Sequence, residues 1–147
     1  MAAVKIKAKA RLYDGLTTQC ESRGFSFTLN GPLSLGGDDM GMNPLEALLS
    51  VLGASKCMVA KAFAEKYGIK LKSLQIDVDG VLDPDGFLGK NMDTKIGFSR
   101  ITTRYYMNAS NTEEEVGKFV EFIERNCALM DTILNTPEFT TELHCCK

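Results

Sequence analysis

The chain opens with a hydrophobic period of two. Val4, Ile6, Ala8, Ala10 and Leu12 alternate with Lys5, Lys7, Lys9 and Arg11, which predicts a strand with one face on a core and a basic face in water. Asp14-Gly15 is a turn signal, and residues 16–21 and 25–29 read as two further short strands broken near Arg23-Gly24. Together they predict a three-stranded meander. Residues 30–42 hold four glycines and a proline and read as a loop. Asn43-Pro44 then supplies an N-cap and a proline at the first helical position, opening a helix closed by Gly68. Residues 45–60 are apolar on nearly every face, so this central helix is expected to be covered on several sides.

Residues 71–82 place Leu71, Leu74, Ile76, Val78 and Val81 in imperfect alternation and predict a long strand. Asp83-Pro-Asp-Gly is a turn, and residues 98–107, rich in β-branched and aromatic side chains, predict a second long strand paired with the first. Two capping registers, Ser110 with Glu113 and Thr112 with Glu115, precede Val116, Phe119, Val120, Ile123 and Cys127, which repeat at three and four as a second amphipathic helix. Residues 130–135 read as a short helical segment, Pro137 stops it, and residues 139–145 predict a closing strand. Strands, helix, strands, helix and strand make an α+β pattern rather than a regular βαβ alternation.

Length and charge narrow the function. The 147 residues suit one domain spanning residues 1–147. Lys and Arg number 17 against 19 Asp and Glu, and the pI near 5.5 offers no basic field for a phosphate backbone, so no nucleic-acid partner is expected. The apolar run at 45–60 is shorter than the roughly 20 residues a bilayer span needs and contains Glu46 and Lys56, so no membrane partner is expected. The amino-terminal residues lack the continuous apolar stretch of a signal peptide. Cys20, Cys57, Cys127, Cys145 and Cys146 form no short CxxC pair, which argues against a disulfide framework or zinc knuckle and for reduced thiols in the cytoplasm.

Cys57 on the central helix and Cys127 at the end of the second helix are the candidate thiols for redox chemistry. In that chemistry a thiolate attacks a peroxide O–O bond, becomes a sulfenic acid, and a second thiol condenses with it. His144-Cys145-Cys146 gathers three soft ligands, yet adjacent strand residues face opposite ways and cannot close a tetrahedral metal site, so these residues read as a tail. Gly36-Gly37 and Gly41 match no phosphate-loop spacing, and Asp38-Asp39 reads as a solvated turn. No cofactor is implied.

Two stretches carry a resemblance. Residues 35–55, from Leu35-Gly-Gly-Asp-Asp through Asn43-Pro44 to Leu52-Gly-Ala-Ser55, resemble the Gly-Gly, Asn-Pro, apolar-helix signature of the OsmC/Ohr family of osmotically inducible and organic hydroperoxide resistance proteins. Arg125-Asn-Cys127-Ala-Leu-Met-Asp-Thr-Ile is similar to that family's second cysteine motif. The resemblance implies antiparallel sheets wrapped around long central helices of an intertwined homodimer. It also implies a paired-thiol reduction of organic hydroperoxides fed by small or lipoyl-type dithiols.

Within that resemblance the peroxide-attacking cysteine falls on Ser55, with Cys57 two residues on, about 200° around the helix. A hydroxyl forms no sulfenic acid. The glutamate that often follows the proline is Leu45 here, with Glu46 one place further, and Tyr13 stands where an arginine precedes the first turn, with Arg11 and Arg23 nearby. Two readings follow. In the first, Cys57 and Cys127 take over the thiol cycle through a shifted or kinked helix at Gly53, Glu46 orients or polarises, and an arginine stabilises the thiolate. In the second, a peroxidase-inactive homodimer binds a small hydrophobic ligand.

Overall fold

The computed structural model describes residues 1–146, which fall into two compact units. Residues Met1–Ser50 form the first, and the second begins at Val51. In the first unit β1 (Lys9–Leu12), β2 (Thr18–Ser22) and β3 (Phe25–Leu29) make an antiparallel meander in that order. The Thr17 N–H donates to the Asp14 carbonyl at 3.0 Å, with Gly15 at φ +55°, closing the first turn as Asp-Gly predicts.

The opening strand is shorter than its alternation predicts. Lys9 pairs with Glu21, and β2 ends at Ser22, where Arg23 and Gly24 turn the chain with positive φ. No β2 backbone remains to oppose the residues before Ala8. Alternation encodes a face, whereas the partner's length decides how much of it is paired. The expected core face is also absent, since Val4, Ile6 and all of β1 are exposed.

Between the meander and the long helix, Asn30 is buried and organises the loop. Its side-chain oxygen accepts from the N–H groups of Gly31 at 2.7 Å and Asp38 at 2.8 Å, while its amide donates to the Thr17 hydroxyl at 3.0 Å. Gly37 is required here, because a Cβ would lie 1.9 Å from the Gly31 carbonyl oxygen. Asp38 and Asp39 are exposed, as a solvated turn should be. Helix α1 (Pro44–Phe63) starts with a reciprocal cap: Glu46 N–H donates to the Asn43 side chain, and Asn43 N–H donates to the Glu46 carboxylate, both at 2.9 Å.

In the second unit β4 (Leu71–Val81) and β5 (Arg100–Ala109) form a long antiparallel ribbon. A register shift between Leu71 and Ser73 explains the imperfect alternation. Leu71 and Leu74 both pack on the core because a bulge lies between them, whereas Val81, of opposite parity to Leu74, is exposed. Gly53 sits close under this ribbon, where a Cβ would lie 3.3 Å from a Val78 methyl carbon, and α1 runs through it without interruption. Close packing accounts for this glycine.

The Asp83-Pro-Asp-Gly turn is wound into a short helix, α2 (Pro84–Phe87), capped by the Asp83 carboxylate. Helix α3 (Glu113–Asn126) takes the Thr112–Glu115 register as a complete capping box. The Thr112 N–H, with the Asn111 amide, holds the Glu115 carboxyl below its ordinary range. Ala60, Ala64, Ile69, Phe119 and Ile123 are the buried centre of this unit, with Phe63 and Phe122 ring centroids 5.1 Å apart at its margin. Helix α4 (Ala128–Leu134) follows directly. The predicted closing strand is not formed: residues 136–146 carry no secondary structure, and Phe139 and Leu143 are 80% and 86% exposed. Alternation encodes a face but not a pairing partner, and within the described chain this segment pairs with no strand.

Candidate functional site

Cys127 terminates α3 and caps α4, with an extended backbone at φ −82°, ψ 113°. Helix α3 runs through Arg125 and Asn126, the backbone leaves the helical track at Cys127, and the Cys127 side chain is 1% exposed. Its thiol donates to the Ser55 hydroxyl of α1, sulfur to oxygen 3.3 Å. Ser55 is half-buried. The two meet across 72 residues of chain.

Next to Ser55 in sequence, Lys56 is 0% exposed, one of the largest fully buried side chains of the described residues. An ammonium in that position requires compensation. Its Nζ lies 2.8 Å from Glu124 Oε1 of α3 and donates to the Thr103 hydroxyl of β5 at 3.2 Å. Tyr105, two residues along β5, donates its hydroxyl to the same Glu124 oxygen. Burial is the chief reason the Tyr105 phenol is pushed far above its ordinary range, followed by the bond to Glu124 and then by the charges that Cys127 and Cys57 would carry. Glu124 lies in the last turn of α3, three residues before Cys127.

Cys57, two residues beyond Ser55, is half-buried, and burial raises its thiol pKa. All five cysteines are free thiols. It is Ser55, not Cys57, that meets the Cys127 sulfur. The Glu46 carboxylate is engaged in the cap of α1. Arg11 lies on exposed β1, and the Arg23 guanidinium lies 5.2 Å from the centroid of the Phe25 ring. Among the described residues no group of three or more His, Cys, Asp or Glu side chains is arranged to hold a metal ion.

A groove of about 280 Å³ opens beside the pair, lined chiefly by Leu52, Phe98, Ile101, Met130, Ile133 and Leu134, with Lys95 and Arg100 contributing charge. Leu52 precedes Ser55 by one helical turn, and Met130 follows Cys127 by three residues. Ser55 and Cys127 do not line the groove themselves; Leu52 and Met130 are its lining residues nearest to them along the chain. The Lys56–Glu124–Tyr105–Thr103 cluster was not singled out from the sequence. Its signal was a lysine in the middle of an otherwise apolar helix, which demands a buried counter-charge.

Residues 36–142 match the family described as OsmC-like protein. The chain belongs to that family. A hydroperoxide reductase of Mycoplasma genitalium is 28% identical to this OsmC-like protein over 99 residues, 67% of each chain. One of Mycoplasma pneumoniae is 27% identical over 93 residues, 63% of this chain and 62% of that one. The chain therefore spans about two thirds or less of the curated relatives it matches. An OsmC-like protein of Mycoplasma pneumoniae superposes with a TM-score of 0.80 at 24% identity, covering 92% of this chain and 91% of that one. An organic hydroperoxide resistance protein OsmC of Legionella pneumophila gives 0.65 at 18% identity, covering 92% and 93%. The fold is the α+β OsmC-like fold, with antiparallel sheets and long helices, and the chain is a distant homologue of hydroperoxide reductases. No helix among the described residues is long and apolar enough to cross a membrane.

Proposed function

We propose that this OsmC-like protein is a thiol-dependent reductase of organic hydroperoxides that serves oxidative-stress defence in the cytoplasm, with Cys127 as the reacting thiol. The carrying observation is the Cys127 thiol set 3.3 Å from the Ser55 hydroxyl beside an apolar groove. In this reading Ser55 occupies the place of the family's peroxide-attacking cysteine, so the cycle begins on Cys127. Its thiolate attacks the terminal oxygen of R–O–OH; an S–O bond forms and the O–O bond breaks. The alkoxide leaves, takes a proton from water and departs as the alcohol, while the sulfur is oxidised to a sulfenic acid. The Ser55 hydroxyl is placed to donate a hydrogen bond to the thiolate before the step and to the sulfenate after it. A small or lipoyl-type dithiol then attacks the sulfenic sulfur and water leaves. Its second thiol displaces the Cys127 thiolate and closes a cyclic disulfide.

Exposed Phe25 and Phe27 on the meander, Val51 and Met58 on α1, and Leu134 on α4 support a homodimer, since a lone chain rarely leaves so many large apolar side chains in water. The test is consumption of cumene hydroperoxide with excess dithiothreitol. Turnover is expected in the native chain and in Cys57→Ser, and is lost in Cys127→Ser. Undiminished turnover in Cys127→Ser would overturn the assignment. The hydroxyl at position 55 and the apolar groove favour a second reading, a peroxidase-inactive homodimer that binds a small hydrophobic molecule. It predicts no turnover in any of the three proteins.

A further inference from the structure

A sulfenic acid on Cys127 would face a hydroxyl, and a hydroxyl cannot condense with it to a disulfide. Another thiol of the chain has to reach it, or the sulfenic acid waits for an external one. Cys145 and Cys146 are adjacent, exposed and free, and both lie beyond the residues matched to the family. Among the described residues, the segment 136–146 forms no hydrogen bond with the rest of the unit; its one polar contact is local, His144 to Glu142 at 3.2 Å. Every residue from Asp131 to Cys146 is exposed in the single chain.

The chain length suffices for a return. Helix α4 has 7 residues and carries Leu134 about 10 Å from Cys127. The residues from Leu134 to Cys145 can span up to roughly 36 Å when extended. A tethered thiol within such reach acts at an effective concentration on the order of millimolar. The apolar groove beside Cys127 is lined by Ile133 and Leu134, where this segment begins.

We infer that the vicinal pair Cys145-Cys146 supplies the resolving thiol for Cys127. This rests on the hydroperoxide reading above. One thiolate of the pair attacks the sulfenic sulfur, an S–S bond to Cys127 forms, and the S–O bond breaks with water leaving. An external dithiol later reduces that disulfide by exchange.

The experiment treats the full, reduced chain with one equivalent of cumene hydroperoxide in the presence of dimedone, then maps adducts and cross-links by non-reducing peptide mass spectrometry. The native chain is expected to yield a Cys127 peptide joined to the peptide bearing Cys145 and Cys146, within one chain. In Cys145→Ser/Cys146→Ser the cross-link disappears and the dimedone adduct on Cys127 rises several-fold. A Cys127 adduct of equal yield in both proteins, or a cross-link to Cys57 or Cys20 instead, overturns the resolving role while leaving Cys127 as the reacting thiol. Absence of any Cys127 oxidation in either protein overturns the hydroperoxide reading, and the resolving role falls with it.

Discussion

The Cys127 sulfur lies 3.3 Å from the Ser55 hydroxyl oxygen, joining the end of α3 to the middle of α1. A thiol at position 55 would face Cys127 directly, and a modest closure of that gap would reach bonding distance. Ser55→Cys is therefore expected to raise hydroperoxide consumption and to form a 55–127 disulfide on oxidation. Thiol titration before and after one equivalent of hydroperoxide, with peptide mapping, checks this. Unchanged reactivity would mean that the groove, and not the missing sulfur, limits the site.

The buried Lys56 ammonium and the Glu124 carboxylate hold α1 to α3 just behind that pair. Lys56→Ala leaves Glu124 without its counter-ion and opens a cavity, so a loss of about 3–5 kcal/mol in unfolding free energy is expected. Lys56→Met, which keeps most of the volume, combined with Glu124→Gln, which removes the stranded charge, should recover much of it. Urea denaturation of the two variants measures the difference. Equal stability of Lys56→Ala and the native chain would contradict the ion pair.

Burial raises the Cys57 thiol, and burial with the Glu124 bond raises the Tyr105 phenol. Both groups are neutral in the fold at pH values where they ionise in the unfolded chain. Their contribution to stability is thus complete below about pH 8.5, where an unfolded thiol starts to titrate, and declines as pH rises past that point and past about 10 for tyrosine. The thermal midpoint should fall between pH 8 and pH 11. In Tyr105→Phe the fall should be shallower, and an equally steep fall would remove Tyr105 from the account.

Much of this architecture is legible from periodicity. The meander, the long paired strands, the Asn43-Pro44 start of α1 and the Thr112–Glu115 cap follow from local chemistry, because turns, caps and amphipathic faces are decided within a few residues. Pairing partners are not local, which is why residues 1–8 and 139–145 alternate like strands and form none. The site divides in the same way. Ser55, Cys57 and Cys127 stand out by residue type and by resemblance. That Ser55 is the residue facing Cys127 depends on helix phase and on the chain leaving the helical track at Cys127. The Lys56–Glu124–Tyr105 cluster joins three elements and has no spacing to reveal it.

The central claim is that Cys127 is the first atom of this chain to meet a hydroperoxide. Site-resolved mass spectrometry of all five thiols, taken during a single turnover with less than one equivalent of cumene hydroperoxide, tests it most directly. Oxidation confined at first to Cys127, as sulfenic acid or as its disulfide, is the predicted result. Oxidation that begins at Cys57 while Cys127 stays reduced would contradict it.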